Sequence, residues 1–261
     1  MEKKHCITVT VVIALVIVVV AVVLGITLGK RTFKQEFEYR CSKFESSKKY
    51  NCTEIWHEFE KAYVNQDPCK IPMNAYDSLV AAAPFEHACN KTLFWSKTKN
   101  LVHDLTKNRD DVNLEKTLLG SVLDGVTSWC GKMGSSETLT EGCPVWTKCE
   151  NNPPRLFWNR LSTAFADFAC ENVTVILDGS IDTPFNPTTT FATIEVKRIK
   201  YPKVKSLTVV IVPQNSTCNS DSLKALKSAL VQGITYNCKE VTEAKIKKCS
   251  SDPKTPIGKC W

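Results

Sequence analysis

The feature that most constrains this chain is the placement of its cysteines. Twelve of the thirteen follow a single apolar run near the N-terminus. The run, Ile7 to Gly29, carries no charge and is dense in Val, Ile and Leu. At about 1.5 Å per residue, a helix of this length exceeds the roughly 30 Å hydrocarbon core of a bilayer. A cleaved signal peptide has a shorter apolar region and a small-x-small cleavage site, and none stands after Leu24. Residues 7–29 are therefore expected to be a retained transmembrane signal anchor, following a cytosolic tail at residues 1–6. Cys6 sits at the inner boundary, where a thiol is either palmitoylated or left unmodified.

Flanking charge does not orient the anchor, because Lys3 and Lys4 on one side face Lys30, Arg31 and Lys34 on the other. The cysteines do. Cys41, Cys52, Cys69, Cys89, Cys130, Cys143, Cys149, Cys170, Cys218, Cys238, Cys249 and Cys260 are an even set at a density that persists as disulfides in an oxidising compartment. Glycosylation sequons at Asn51, Asn90, Asn172 and Asn215 require the same lumen, whereas Asn186 is followed by Pro187. The expectation is a type II plasma-membrane protein with an extracellular domain at residues 30–261. Spacing leaves the pairing of the cysteines open.

The net charge of +7 is spread along the chain, as a solvated basic surface would be, and nothing marks a nucleic-acid-binding stripe. With no internal repeat or low-complexity linker, residues 30–261 read as one unit with two lobes. The first half reads as helices. Thr53–Asn65 places Ile55, Trp56, Phe59, Ala62 and Tyr63 on one face, with Thr53 as cap and Pro68 as stop. Asn74–Ala83 and Ser96–Lys107 follow, and Pro154–Cys170 has a stripe of Phe157, Trp158, Leu161, Phe165 and Phe168. The second half changes period. Val173, Val175 and Leu177 alternate up to the Asp178-Gly179 turn, and Phe191–Val196 and Leu207–Val212 are strand-like in composition. An amphipathic helix over Ser220–Gln232 and a strand over Ile234–Cys238 complete a parallel crossover. The fold class is mixed α+β and α/β, a helical lobe packed on a lobe with a small parallel sheet, with ligands expected beyond the carboxyl ends of the strands.

Familiar catalytic engines are absent: there is no G-x-S-x-G, P-loop, G-x-G-x-x-G or H-E-x-x-H. His57, His87 and His103 lack metal-ligand spacing, so no metal is expected. Carboxylates and tryptophans remain. Trp95 follows Leu93-Phe94, Glu115 and Asp124 flank Leu118-Leu119-Gly120, Trp158 opens the strongest helix, and Glu195 alternates away from Ile194 and Val196 in the expected strand. Taken singly, each has a structural explanation as a core indole or a solvated carboxylate.

Together these segments resemble the ADP-ribosyl cyclase/cyclic ADP-ribose hydrolase family of NAD glycohydrolases, most of all its type II membrane-anchored branch. The resemblance is carried by Phe94-Trp-Ser-Lys97, Leu114-Glu-Lys-Thr-Leu-Leu-Gly120, Trp129-Cys-Gly131, Cys143-Pro-Val-Trp146, Asn151-Asn-Pro153 with Phe157-Trp158, Thr190-Phe-Ala-Thr-Ile-Glu-Val196 and the cysteine spacing. It implies that Glu195 is the catalytic carboxylate and that Trp95 and Trp158 wall the pocket. It further implies that Glu115 and Asp124 face the nicotinamide carboxamide, and that Ser96, Lys97, Thr190 and Phe191 sit near the phosphates. The implied disulfides are Cys41–Cys52, Cys69–Cys149, Cys89–Cys170 (beside the active site), Cys130–Cys143, Cys218–Cys238 and Cys249–Cys260. NAD is then a substrate, with no cofactor, and NADP and cyclic ADP-ribose are further substrates. A homo-oligomer is compatible with the sequence. Two departures stand out. Asn113 and Lys116 replace the family's common Thr and Asp, placing a cation next to Glu115, and Lys97 replaces an Arg, trading a bidentate phosphate fork for a point charge. The rival class is a non-catalytic type II receptor such as a C-type lectin-like module, but that module is shorter and its E-P-N and W-N-D motifs are missing here.

Overall fold

Polar caps and buried aromatic stripes set the helical lobe. The computed structural model describes residues 31–44, 49–145 and 147–261, so the apolar run 7–29, Cys6 and Trp146 lie outside the described residues. Among the described residues no helix is long and apolar enough to cross a membrane. Helix α1 (Phe33–Lys43) starts from a capping box between Thr32 and Gln35. Helix α2 (Cys52–Lys61) is capped two residues earlier than expected, by Asn51 rather than Thr53: the Asn51 side chain accepts the Glu54 N–H at 3.2 Å. Asn74–Ala83 divides into a 3-10 turn, Met73–Tyr76, and a short α3, Asp77–Ala82. The rings of Phe37, Trp56, Phe59, Tyr76, Trp129 and Phe157 stack and edge-pack between these segments. Such pairs add about 0.5–1.5 kcal/mol each beyond area burial.

The expected helix from Ser96 is corrected. Leu93–Ser96 is strand β1, Lys97 turns the chain with φ 64°, and only Lys99–Thr106 is helical (α4). Four residues are too few to show a strand period. Helix α5 (Leu118–Leu123) begins where the Thr117 hydroxyl accepts the Gly120 N–H. Gly120 is required there, because a Cβ would lie 2.0 Å from the Leu114 carbonyl oxygen. Helix α6 (Pro153–Phe168) is capped by Asn152, with proline in its first turn.

Strands β2 (Glu171–Asp178), β3 (Val204–Val212) and β4 (Thr235–Glu240) complete a wholly parallel sheet in the order β1-β2-β3-β4. Trp95 is in register with Ile176, Val175 with Val209, and Val209 with Cys238. Helix α7 (Asp221–Ala229) makes the β3-to-β4 crossover, and α8 (Glu243–Ser251) follows. Val173, Val175, Leu177, Leu207 and Val209 join the large core that includes α6. Ile176, Val210 and Val212 face a smaller core with Val102 and Leu105 of α4 and Ile246 of α8. Burial on both faces is what a parallel sheet requires. Among the described residues the disulfides are Cys41–Cys52, Cys69–Cys149, Cys89–Cys170, Cys130–Cys143, Cys218–Cys238 and Cys249–Cys260, the pairing that the resemblance implies.

Candidate active site

The main correction to the sequence reading falls on Glu195 itself. Phe191–Val196 is not a strand: Phe191–Glu195 is a π-helical turn that runs into one α-turn, Val196–Arg198. Phe191, Ala192, Glu195 and Val196 are buried while Thr193 is exposed, a helical spacing that the apparent alternation concealed. The turn is fixed at its start by Thr189, whose carbonyl accepts the Thr193 N–H at 2.9 Å and whose hydroxyl accepts the Ala192 N–H at 3.4 Å. Phe191 anchors it against Phe94 of β1 at 5.9 Å between ring centroids. Glu195 therefore points inward because of a helical turn, not strand alternation. Isolated π-turns recur at functional sites.

Glu195 is 6 % exposed and lines a cavity of about 410 Å³. Trp95, Ser96, Lys97, Glu115, Trp158, Thr190 and Phe191 line the same cavity, so eight of the nine candidate site residues converge there. Burial pushes the Glu195 carboxyl up to about 8; the charge of Glu115 adds to the rise and a hydrogen bond with Ser162 opposes it. Trp158 leans edge-on against Phe157, 5.1 Å away, with its indole half-buried. Ser96 ends β1 and is buried, whereas Lys97 and Thr190 are exposed at the rim. The positive φ of Lys97 is uncommon for a residue other than glycine, and such positions cluster at ligand sites.

Glu115 lies in a 3-10 turn, Leu114–Lys116. Its Oε2 accepts the Trp95 indole N–H at 3.0 Å and the Asn113 amide N–H at 3.2 Å. One side of the cavity is thus cross-braced before any ligand arrives. Asp124 is the exception among the candidates. It lies in a neighbouring groove of about 1510 Å³, paired with Lys99 at 2.5 Å, and only Glu115 borders both spaces. Lys116 does not direct its ammonium at Glu115. It donates to the carbonyls of Thr106 at 2.9 Å and Asp111 at 3.2 Å, and to that of Arg109. The cation next to Glu115 in sequence thereby fixes the loop that carries α4 into the Glu115 turn.

Ser162 and Lys99 carry no expectation from the sequence, Asn113 enters there only as a departure from the family pattern, and His103 only as a histidine without metal-ligand spacing. Ser162 carried a signal: it is a polar residue on the apolar face of α6, one helical turn beyond Trp158. The Asn51, Asn90, Asn172 and Asn215 side chains are exposed. Asn90 Oδ1 accepts the Asn172 N–H at 2.9 Å, and Asn172 Oδ1 accepts the Ser206 hydroxyl at 2.7 Å. These bonds use the amide oxygens and leave the nitrogens, to which a glycan attaches.

Comparison with known proteins gives a consistent answer. The ADP-ribosyl cyclase family model matches residues 30–258. The rat ADP-ribosyl cyclase/cyclic ADP-ribose hydrolase 1 is 34 % identical over 79 % of this chain and 71 % of its own length. The mouse protein of the same name is 35 % identical over 79 % and 70 %. Porcine CD38, solved with a covalent intermediate, ribo-F-ribose-5'-phosphate, is 35 % identical and superposes with a TM-score of 0.76 over 82 % of this chain and 97 % of that one. This chain belongs to the ADP-ribosyl cyclase family.

Proposed function

We propose that this chain cleaves the nicotinamide–ribose bond of NAD, releasing ADP-ribose and some cyclic ADP-ribose, and that it also hydrolyses cyclic ADP-ribose. The observation that carries this reading is a buried carboxylate, Glu195, held by Ser162 in a cavity lined by two indoles. Nicotinamide in NAD is a cation that departs neutral, so no general acid has to protonate it. The bond breaks if the ribosyl oxocarbenium ion is stabilised, which is the task of a carboxylate in glycoside hydrolysis. Glu195 is suited to it. The arriving pyridinium charge favours the ionised form that burial disfavours, so the carboxylate becomes charged where the cation forms. The porcine relative's covalent intermediate shows that a ribosyl–enzyme species is accessible to that protein.

Trp95 and Trp158 offer flat faces to the pyridinium and the purine, worth about 0.5–2 kcal/mol for a cation over a ring. Ser96, the exposed Lys97, Thr190 and the Phe191 backbone take the phosphate side, and Glu115 and Asp124 take the carboxamide. Water captures the intermediate to give ADP-ribose, the adenine N1 of the same molecule gives the cyclic product, and another pyridine base gives exchange, including on NADP. Residues 7–29 anchor the chain as a type II protein with this domain outside the cell, a placement supported by six disulfides and four exposed sequons. The test is nicotinamide release from NAD by the purified full-length chain. Turnover should disappear in Glu195→Gln with NAD binding retained; near-normal turnover in a folded variant would remove Glu195 from the mechanism. Protease accessibility of the domain on intact cells tests the topology.

A further inference from the structure

Glu115 stands where two cavities meet, and a buried polar atom without a partner stands beside it. His103, on α4, borders the groove together with Glu115 and Asp124. Its Nε2 is shielded from solvent and makes no hydrogen bond. Glu115 Oε2 is 3.6 Å away, beyond hydrogen-bond length, and already accepts from Trp95 and Asn113. The other ring nitrogen lies 4.0 Å from Asp124 Oδ2, which is also too far. A buried donor left unsatisfied is destabilising, so such an atom calls for a partner that arrives with function.

The chemistry of a carboxamide supplies one. It presents two N–H donors and one carbonyl acceptor. Glu115 and Asp124, as carboxylates, only accept hydrogen bonds, and they serve the two N–H groups. The carbonyl then needs a donor. The single Trp95 indole N–H is committed to Glu115, and Lys99 is held on Asp124 through one of its three N–H groups, whereas the His103 Nε2 has no partner at all. A ligand reaching from the Glu195 cavity to Asp124 has to pass Glu115, which alone among the candidate site residues borders both spaces. We propose that His103 is a substrate-binding residue whose Nε2–H donates to the carbonyl oxygen of the substrate's carboxamide. This rests on the reading of Glu115 and Asp124 as carboxamide acceptors. Catalytic contacts are often long in ligand-free sites and tighten in the complex.

The experiment compares wild type, His103→Phe, His103→Gln and Glu115→Gln on three substrates that differ only at the pyridine substituent. NAD has both carbonyl and amine, the 3-acetylpyridine analogue keeps only the carbonyl, and the pyridine analogue has neither; kcat/KM is read, or an inhibition constant where cleavage is slow. His103→Phe should lose about tenfold on NAD and on the acetylpyridine analogue, one neutral hydrogen bond's worth, and little on the pyridine analogue. His103→Gln, whose amide nitrogen reaches a similar position, should recover most of that loss. A His103→Phe defect that vanishes with the acetylpyridine analogue means His103 acts only through the carboxylates, and overturns the proposal. A defect that persists on the pyridine analogue means a structural role, and also overturns it. Glu115→Gln should hurt NAD more than the acetylpyridine analogue; an equal loss on all three substrates refutes the underlying reading of Glu115 instead.

Discussion

Removing the proposed catalytic carboxylate should make the ligand-free protein more stable, by an amount that depends on pH. Glu195 is buried, and burial raises its carboxyl from 4.5 to about 8. The unfolded chain ionises this group near 4.5, whereas the folded chain resists ionisation. The contribution to stability is therefore fully present below about 4.5 and is lost as pH rises through 8. Moving one carboxyl over that interval corresponds to about 5 kcal/mol as an upper bound, accumulating at about 1.4 kcal/mol per pH unit. Glu195→Gln keeps the shape and the hydrogen bond to Ser162 but has no charge to bury. Allowing about 1 kcal/mol for imperfect replacement, a gain of about 2–4 kcal/mol is expected at pH 8.5 and essentially none at pH 4.5. For a domain of this size that is a rise in Tm of about 5–15 °C at the alkaline end. Thermal melts of wild type and Glu195→Gln, without ligand and with the same disulfides intact, over pH 4.5–8.5 read the effect. A difference in Tm that stays constant across the series would refute the reasoning, because it would show that Glu195 carries no buried charge.

Three further outcomes follow from particular contacts. His87 packs against Phe85, Phe165 and Phe168 and touches the Thr92 hydroxyl at 2.9 Å, and burial lowers its pKa to about 4. Its contribution to stability is present above about 6.5 and lost as pH falls through 4, so His87→Phe should flatten the acid limb of a stability–pH curve, while an unchanged limb would exclude His87 as its source. Replacing Cys89 and Cys170 together should cost about 2–5 kcal/mol by denaturant titration and reduce turnover; full activity would show that the bond does not hold the site. Glu115→Ala should raise the cyclic share of product from NAD, read by chromatography at matched conversion, whereas an unchanged ratio would leave Glu115 with binding alone.

The sequence was most informative where chemistry forces composition and least where tertiary contact decides local structure. The even set of cysteines pointed to disulfides, but only the resemblance suggested their pairing. The strand at Val173–Leu177 is legible from its alternation up to the Asp178-Gly179 turn, and that at Leu207–Val212 because a parallel strand buried on both faces must be apolar. Thr190–Val196 was misread because a short run of Thr, Ile and Val looks like a strand by composition, while the packing of Phe191 on Phe94 makes it a turn of helix. Strand β1 was hidden by its length. Ser162 shows in the sequence only as a polar residue on the apolar face of α6; its meeting with Glu195, and the place of His103 beside Glu115, join different elements, and no local pattern reports such a meeting.

Those meetings explain why the lobes have to be joined where they are. Glu195 is held by Ser162 from α6, and Glu115 is held by Trp95 from β1, so the two carboxylates depend on two elements distant in sequence. Cys89 lies just before β1, and Cys170 lies between α6 and β2. The Cys89–Cys170 bond, supported by the Asn90 N–H donating to the Cys170 carbonyl, ties the roots of both supports together. A shift of β1 relative to α6 would separate Trp95 from Trp158, loosen the burial that raises the Glu195 carboxyl and change its distance from Glu115, whose charge adds to that rise. The covalent link therefore protects the charge state of the site as well as its shape.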